Sequence, residues 1–284
     1  MRFDYLRAGS VEEALELLRE NDGDCRVLAG GTDLLVMIQE KLVSPRAVLD
    51  ISGLEELKGI EESGGRIRVG ALASHARIAG SAVLEKKAAP LVQSCAEVGS
   101  PQIRALGTIG GNLVMASPSG DAIPALFVLG ASVILKSSRG ERAVPIEEFF
   151  TGVKRSVRRP DELLTAVVFP APAPSDRGFF KKLGQRKALA ISKVSTAALL
   201  SFRGGGVEKI RVALGAVAPT VIRAPRTESF LAGHKLTADP IEEAARICAE
   251  ESRAITDLRS SAVYRNRMAG LLLARGLEEL VEEN

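Results

Sequence analysis

The chain has 284 residues, 46% of them hydrophobic, which is enough for two or three domains with sizeable cores and disfavours a disordered protein. Its 38 Lys and Arg residues nearly balance its 35 Asp and Glu residues, and tryptophan is absent, so the composition disfavours a nucleic-acid-binding surface. The three cysteines lie far apart, at Cys25, Cys95 and Cys248, which argues against an iron–sulfur or zinc site on this chain and is typical of a reducing cytoplasm.

The first fifty residues carry alternating helix and strand signals. Ser10 and Glu13 have the spacing of a capping box ahead of an apolar stripe, which predicts a helix over residues 10–20. After it we predict a strand, a helix capped by Thr32 or Asp33, and a second strand, over residues 25–29, 33–41 and 47–51. This order of elements is that of a small α/β unit.

The first glycine pair follows directly on the strand, in the segment Leu28-Ala29-Gly30-Gly31-Thr32-Asp33-Leu34-Leu35. Paired glycines let the backbone turn sharply and approach a ligand closely, and consecutive N–H groups at such a turn form an anion site. Asp33 would repel a phosphate beside it, so the N–H groups of residues 30–33 should bind the phosphate and the Asp33 side chain should point elsewhere. The alternative is a tight strand-to-helix connection without a ligand.

A second set of elements is expected over residues 54–172. Periodicity predicts strands over residues 66–69, 114–117, 131–136 and 163–169, and helices over residues 75–78, 83–98 and 122–129. The longest apolar run, Ala122 to Leu135, contains Pro124 and is shorter than the roughly 20 residues of a membrane-spanning helix. No apolar signal core follows Met1, so we expect a soluble, cytoplasmic protein.

The second glycine pair is the more specific one. The segment Gly107-Thr108-Ile109-Gly110-Gly111-Asn112 carries three glycines, a hydroxyl and an amide in six positions. Two such turns could grip the two phosphates of one pyrophosphate, which makes a dinucleotide the leading candidate ligand. Asp121 could accept from sugar hydroxyls of that ligand, or it could simply cap a helix. Neither a GxGxxG nor a GxxxxGK[ST] motif occurs, which disfavours a nicotinamide domain or a P-loop enzyme.

The last third of the chain begins after a proline-rich linker over residues 170–175, where we predict the main domain boundary. Strands are expected over residues 178–183, 194–203 and 209–217, a hairpin loop at residues 204–206, and amphipathic helices over residues 241–251 and 258–282. This order predicts an α+β domain. His75 and His234 are isolated and read as structural or surface residues.

A basic stretch precedes the second of these strands, at Lys181, Lys182, Arg186 and Lys187. A solvated face is the usual explanation for such a stretch. One of the cations could instead lie near a bound anion or a reduced cofactor.

Five segments, in the same order along nearly the whole chain, resemble the FAD-binding medium subunit of molybdenum hydroxylases. This is the family of the carbon monoxide dehydrogenase medium subunit and of the flavin domain of xanthine dehydrogenase. The segments are AGGTDLL at 29–35, GALASH at 70–75, TIGGN with ASPSGD at 108–121, FKKL with Arg186 at 180–186, and DLRSSAVYR at 257–265.

The resemblance implies an α+β fold. Its PCMH-type FAD-binding domain would span residues 1–172 as two subdomains that meet near residue 53, and a smaller C-terminal α+β domain with an antiparallel sheet would span residues 173–284. It also implies FAD, with the pyrophosphate between the loops at 28–35 and 108–112. By position, Asp121 should bond sugar or ribityl hydroxyls, Leu164 should line the flavin site, and Lys182 should lie near the isoalloxazine.

The implied FAD-binding residues are Leu28, Ala29, Gly30, Gly31, Thr32, Asp33, Leu34, Thr108, Ile109, Gly110, Gly111, Asn112, Asp121, Leu164 and Lys182. The first family loop often carries His-Ser where this chain has Thr32-Asp33. That difference leaves the side-chain contacts of these two positions open, but not the backbone ones.

The resemblance also implies partners: a large molybdopterin subunit and a small subunit with two [2Fe–2S] clusters, assembled as a dimer of heterotrimers. This chain would accept electrons from the clusters onto FAD and pass them to a final acceptor, and it would hold no catalytic side chain and no metal of its own. Two alternatives stay open, a self-contained FAD-dependent oxidase or reductase and a nucleotide-binding regulatory module without redox activity.

Overall fold

The structure, a computed structural model, describes residues 3–21, 23–186 and 189–282. Its first part is a three-stranded parallel sheet in the order β1-β3-β2 with two helices. The elements are β1 (Asp4–Arg7), α1 (Val11–Glu20), β2 (Cys25–Leu28), α2 (Leu34–Gln39) and β3 (Ala47–Asp50). The Ser10 hydroxyl accepts the Glu13 N–H at 3.1 Å, so the predicted cap of α1 is confirmed. Asp33 is the N-cap residue of α2, one of the two predicted positions, but its side chain makes no capping hydrogen bond.

The middle part is a five-stranded antiparallel sheet in the order β4-β5-β10-β6-β7, with a run of short helices between β5 and β6. The elements after a 3₁₀ turn at Glu55–Leu57 are β4 (Ile60–Ser63), β5 (Arg66–Gly70), α3 (His75–Ala79), α4 (Ala82–Lys87), α5 (Ala89–Ala96), α6 (Pro101–Leu106), α7 (Ile109–Met115), α8 (Ala122–Val128), β6 (Ser132–Ser137), β7 (Gly140–Pro145), α9 (Ile146–Phe149), β8 (Phe150–Gly152), β9 (Arg155–Ser156) and β10 (Leu163–Pro170).

Two predictions in this part are wrong. The expected strand over residues 114–117 is the end of α7 and a turn, because a short apolar run does not reveal its own periodicity. The expected helix over residues 83–98 is two helices, since Ala88 leaves the helical conformation with ψ 47° and Pro90 lies in the first turn of α5. The second glycine pair is not a free turn either, because Gly110 and Gly111 lie in the first turn of α7.

The last part is a four-stranded antiparallel sheet in the order β11-β12-β13-β14 covered by helices. The elements are β11 (Arg177–Leu183), β12 (Val194–Arg203), β13 (Gly206–Gly215), β14 (Ile222–Arg223), α10 (Pro225–Leu231), α11 (Ala238–Glu251) and α12 (Ala262–Glu282). The hairpin between β12 and β13 is confirmed, with Gly204 and Gly205 at φ +59° and +80°. The structure therefore has the α+β fold class that the sequence predicts.

Each of the three parts has its own hydrophobic core, and each core contains one cysteine. Cys25, the first residue of β2, is 8% exposed, whereas Cys95 and Cys248, in the middle and last cores, are fully buried. All three are free thiols, and burial raises the pKa of each. Within the described ranges, no helix is both long and apolar enough to cross a membrane.

The packing of α12 on α11 depends on a glycine in the middle of α12. A Cβ at Gly270 would lie 2.1 Å from the carbonyl oxygen of Ala245, which belongs to backbone that cannot move aside cheaply. In the interior of a helix, alanine is more favourable than glycine by about 1 kcal/mol. We nevertheless expect Gly270→Ala to lower the free energy of unfolding by about 1–3 kcal/mol, because overpacking outweighs that gain.

Urea unfolding measures this effect, and Gly53→Ala is the control. The nearest atom to a Cβ at Gly53 is Arg7 Nη2 at 3.5 Å, an ordinary contact. The control should be neutral or slightly stabilising. A stable Gly270→Ala protein would show that the two helices do not need this close approach.

Candidate flavin site

The two glycine segments lie side by side in the structure. A Cβ at Gly30, just after β2, would lie 1.9 Å from the carbonyl oxygen of Leu106 at the end of α6. A Cβ at Gly107 would lie 3.4 Å from Thr32 Oγ1. The absence of a side chain at Gly30 therefore allows the contact between the two loops, through which the parallel-sheet unit meets the middle helices.

The first loop offers a set of free backbone donors. The N–H groups of Gly30, Gly31, Thr32 and Asp33 donate no hydrogen bond to any residue that the structure describes. Gly31 has φ +72°, a left-handed conformation that favours glycine and bends the loop sharply. Successive N–H groups in such a bend form a concave site for an anion, which fits the diphosphate of a dinucleotide.

The second loop does not offer its backbone in the same way. Four N–H groups at the start of α7 donate within the chain: Ile109 to the Ala73 carbonyl, Gly110 to the Ala71 carbonyl, Gly111 to Thr108 Oγ1 and Asn112 to the Thr108 carbonyl. The expectation that backbone N–H groups of both loops hold the phosphates is therefore corrected. The N–H groups of residues 109–112 are already used in capping α7 and in the contact with residues 71–73. The second loop can therefore contact a ligand mainly through its side chains.

Asn112 is the side chain that this loop presents. Its Oδ1 atom is buried and accepts no hydrogen bond within the described part of the chain. A Cβ at Gly120 would lie 3.2 Å from it, so the amide faces the turn at residues 116–121. A buried acceptor without a donor costs about 1–3 kcal/mol, and a ligand hydroxyl would remove that cost. This orphaned atom is the observation by which the residues present fit FAD, whose ribityl and ribose hydroxyls are donors.

Asp121 and Lys182 form a buried ion pair beside this turn. Asp121 is 7% exposed, and its Oδ2 lies 2.5 Å from Lys182 Nζ. The hydroxyl of Ser192 donates to the other carboxylate oxygen at 2.5 Å, and Lys182 also donates to the carbonyl of Glu97 at 3.1 Å. Burial raises the pKa of Asp121, and Lys182 acts in the opposite direction. The structure thus joins two residues to which the resemblance assigned separate contacts with FAD.

The other cations of the basic stretch lie elsewhere. Lys181 pairs with Glu279 at the surface, and Arg186 donates to the carbonyl of Leu189. Lys187 is outside the described residues. A solvated face is therefore wrong for Lys182, whose side chain is 6% exposed in its pair with Asp121, whereas that of Lys181 is 28% exposed.

The remaining predicted residues divide into two groups. Leu28, Ala29 and Leu34 are half-buried around the first loop. Leu164 is a residue of β10, is 3% exposed and lies in the middle core, and its predicted contact with the flavin stays a prediction.

Sequence reasoning missed two side chains here. Ser192 holds Asp121, and Lys154 acts on Asp33, whose pKa is raised by desolvation and lowered in part by that lysine. Both come from segments far along the chain without a motif, so only the fold could reveal them.

His75 lies directly behind the second loop. It is 3% exposed, and its Nδ1 lies 3.4 Å from the thiol of Cys95. Burial lowers its pKa to about 4, so the imidazole is neutral at pH 7. These surroundings favour a structural role for His75. Among the described residues no group of three or more His, Cys, Asp or Glu side chains could hold a metal ion.

A separate surface depression of about 420 Å³ lies between α1 and the β6–β7 hairpin. Most of the residues that line it are polar or charged, and they include the ion pair of Glu12 with Lys136. It shares no residue with the glycine loops, and we assign it no part in the flavin site.

Comparison with known proteins gives consistent matches along the chain. Residues 1–172 match the family described as the FAD binding domain in molybdopterin dehydrogenase, and residues 179–280 match the CO dehydrogenase flavoprotein C-terminal domain. The carbon monoxide dehydrogenase medium chain of Hydrogenophaga pseudoflava is 31% identical over 276 residues, which cover 97% of this chain and 96% of that protein. The nicotinate dehydrogenase FAD-subunit of Eubacterium barkeri is 32% identical over 268 residues, with 93% and 90% covered.

Solved structures agree with these matches. A carbon monoxide dehydrogenase from Hydrogenophaga pseudoflava that lacks the Mo-pyranopterin moiety of its cofactor superposes with a TM-score of 0.94 at 30% identity, covering 98% of this chain and 96% of that chain. Quinoline 2-oxidoreductase from Pseudomonas putida 86 superposes with a TM-score of 0.94 at 29% identity, covering 100% and 98%. The chain belongs to the family of FAD-binding medium subunits of molybdenum hydroxylases.

Proposed function

We propose that this chain is the electron-transfer subunit of a molybdenum hydroxylase complex, and that it passes electrons from the [2Fe–2S] clusters of a partner through FAD to a final acceptor. The proposal rests on two features of neighbouring loops, the free N–H groups of residues 30–33 and the unpartnered Oδ1 of Asn112. The three free thiols support the expected cytoplasmic location.

In the proposed site, each part of the cleft has a distinct role toward the cofactor. The N–H groups of residues 30–33 would hold the diphosphate, and Asn112 would accept a hydroxyl of the ribityl or ribose group. The hydroxyl of Thr108 already accepts from Gly111 and keeps its own proton to donate. When bound, FAD supplies the redox chemistry, and the protein supplies position and electrostatics.

We also propose that residues 1–172 form the FAD-binding domain, with subdomains that meet near residue 53, and that residues 173–284 form the C-terminal domain. Two observations support this division. The last strand of the parallel sheet ends at Asp50, just before the proposed subdomain boundary. The first family match ends at residue 172 and the second begins at residue 179.

The names of the relatives support a set of partner subunits. Two of these relatives are named as the medium chain of carbon monoxide dehydrogenase and as the FAD-subunit of nicotinate dehydrogenase. We infer that this chain likewise assembles with a large molybdopterin subunit and a small [2Fe–2S] subunit, as a dimer of heterotrimers.

The experiment is to purify the chain alone and together with its co-expressed partner subunits, and to follow the flavin absorbance near 450 nm after substrate is added. We expect bleaching only in the full assembly. Turnover by the isolated chain would instead favour a self-contained oxidase or reductase. A chain that binds no FAD after reconstitution would be a regulatory module without redox activity.

The role of Asn112 gives a sharper test within the chain. Asn112→Leu removes the unpartnered acceptor, so we expect FAD affinity to fall about 3–10-fold, the contribution of one hydrogen bond, without loss of stability in the protein free of FAD. Asn21→Leu is the matched control, since Asn21 donates to the Leu17 carbonyl at 2.8 Å and accepts from Arg46 at 2.8 Å.

The control should lower the free energy of unfolding by about 1 kcal/mol and leave FAD affinity unchanged. Fluorescence titration with FAD and urea unfolding measure the two quantities. If Asn112→Leu binds FAD as well as the wild type, the amide does not contact the cofactor.

A further inference from the structure

Backbone strain is concentrated around the turn at residues 116–121, which follows α7 in the candidate site. Among the described residues, five that are not glycine have a left-handed φ, and three of them meet at this turn. Ala116 lies in the turn with φ +47°, and its carbonyl accepts the N–H of Lys154, which has φ +56°, at 3.0 Å. Ala216, with φ +61°, donates to the Pro118 carbonyl at 2.8 Å. Such strain persists where the surroundings enforce it, often beside a ligand site.

Lys154 is the least expected of these three residues. It is the second residue of the two-residue loop that joins β8 to β9, where Gly152 pairs with Arg155 across the hairpin. Glycine or asparagine is the usual residue at a left-handed position of such a turn. A lysine there costs backbone free energy that a glycine would save. This cost points to a role for the lysine side chain.

The ammonium group of Lys154 is free to meet a ligand. Lys154 is exposed, and its ammonium group forms no hydrogen bond or ion pair with any residue that the structure describes. Its charge nevertheless acts on Asp33 in the first loop, where it opposes the desolvation that raises the pKa of that carboxyl. The hairpin therefore brings an unpaired cation within electrostatic range of the loop whose N–H groups are also free.

The first loop has a charge conflict that its own backbone does not resolve. The free N–H groups of residues 30–33 suit a diphosphate, but the carboxylate of Asp33 belongs to the same loop. Two negative groups held close together repel each other, and the repulsion is stronger where water is partly excluded. A cation near both groups removes this conflict, and Lys154 is the cation that acts on Asp33.

We propose that Lys154 is a further FAD-binding residue, whose ammonium group supplies the positive charge for the diphosphate and offsets the carboxylate of Asp33. This inference rests on the proposed function, because it needs the diphosphate at residues 30–33. The bond from the Lys154 N–H to the Ala116 carbonyl fixes the backbone of the hairpin, and the side chain is left to reach the ligand. An ammonium group binds phosphate oxygens through charge-assisted hydrogen bonds.

Lys154→Gly is the variant that tests this role, because glycine removes the charge and also suits the left-handed backbone. The full chain is freed of FAD and titrated with FAD by fluorescence. We expect FAD affinity to fall about 10-fold, the effect of losing one hydrogen bond to a charged group. The midpoint of urea unfolding of the FAD-free protein should equal or exceed that of the wild type, since the strain at this position is relieved.

Lys41→Gly is the matched control. Lys41 is also an exposed lysine with a left-handed φ, +58°, and it follows α2 at the end far from Asp33. The control loses the same charge and relieves the same backbone conformation. At about 0.15 M salt, charges more than roughly 8 Å apart are largely screened, so its FAD affinity should stay within about twofold of the wild type.

Three further measurements test whether charge is the cause. Lys154→Arg keeps the charge and should bind FAD within about twofold of the wild type. Asp33→Asn, introduced into Lys154→Gly, keeps the backbone N–H but removes the carboxylate, and it should recover part of the lost affinity. Added salt should weaken FAD binding more in the wild type than in Lys154→Gly, because an exposed charge is screened.

The outcomes distinguish this inference from the proposed function. If the wild type binds FAD and Lys154→Gly binds it within twofold, Lys154 does not contact the cofactor and the proposed function stands. The same holds if Lys154→Arg loses as much affinity as Lys154→Gly, or if the urea midpoint falls together with FAD affinity, since the effect is then one of hairpin structure. If the wild type binds no FAD, both the inference and the proposed function fail.

Discussion

Gly30→Ala is expected to lose FAD on purification, with an affinity at least 100-fold below that of the wild type. The added Cβ would lie 1.9 Å from the Leu106 carbonyl oxygen and 2.6 Å from its carbon, so the two loops must move apart. This movement shifts the free N–H groups of the first loop relative to the second loop, and a misplacement of about 1 Å is enough to remove several hydrogen bonds at once. Overpacking should also lower the free energy of unfolding by about 1–3 kcal/mol.

The control for this variant is Gly152→Ala, because a Cβ at Gly152 would meet nothing within 4 Å. It should keep both FAD and stability. The measurement is the flavin-to-protein absorbance ratio of the folded variants, followed by titration with FAD. Stoichiometric FAD in a folded Gly30→Ala protein would mean that the contact between the loops does not form the site.

Lys182→Met should cause the largest loss of stability, about 3–5 kcal/mol in the free energy of unfolding at pH 7. The reason is that the variant leaves the carboxylate of Asp121 buried without its ion-pair partner. Lys181→Met is the matched control one residue away, because Lys181 pairs with the half-exposed Glu279 at the surface. Such surface pairs contribute about 0–1 kcal/mol. Chemical unfolding of the two variants measures the difference.

The stability of Lys182→Met should also depend on pH in a defined direction. Burial raises the pKa of Asp121 in the folded state, and without Lys182 nothing of similar strength opposes it. The folded state then binds more protons than the unfolded state, so stability falls as the pH rises. We therefore expect the deficit to shrink as the pH falls toward the usual carboxyl range of about 4.

A double variant separates charge from packing at this site. Asp121→Asn together with Lys182→Met removes both charges, and it should recover most of the lost stability. A deficit that is independent of pH and persists in the double variant would mean that lost packing, not an unpaired charge, is the cause.

Local signals account for the parts of the fold that the sequence predicts well. The cap of α1 needs only Ser10 and Glu13, and the strand over residues 194–203 is bounded by its own glycine turn. The middle helices are harder because they are short and apolar. Ala88 breaks the predicted long helix through its backbone conformation, and Pro90 in the first turn of α5 is the residue type that marks this break.

The site shows the same division between local and distant information. The resemblance identifies which residues belong to it, but not which of them contact each other. Asp121 and Lys182 stand 61 residues apart, and Ser192 completes their pair without any motif. The different uses of the two glycine pairs are equally hidden, since they depend on Leu106 beside Gly30 and on Ala71 beside Gly110.

Because each hydrophobic core contains one cysteine, the reactivity of the three thiols can report how often each core opens. A maleimide reagent cannot reach Cys95 or Cys248 while the surrounding elements are closed, and it reaches Cys25 only poorly. Pulse alkylation followed by mass spectrometry would then measure, in one sample and without any introduced label, how fast each core opens. Comparing the three rates with and without cofactor would reveal which part of the chain the flavin holds shut.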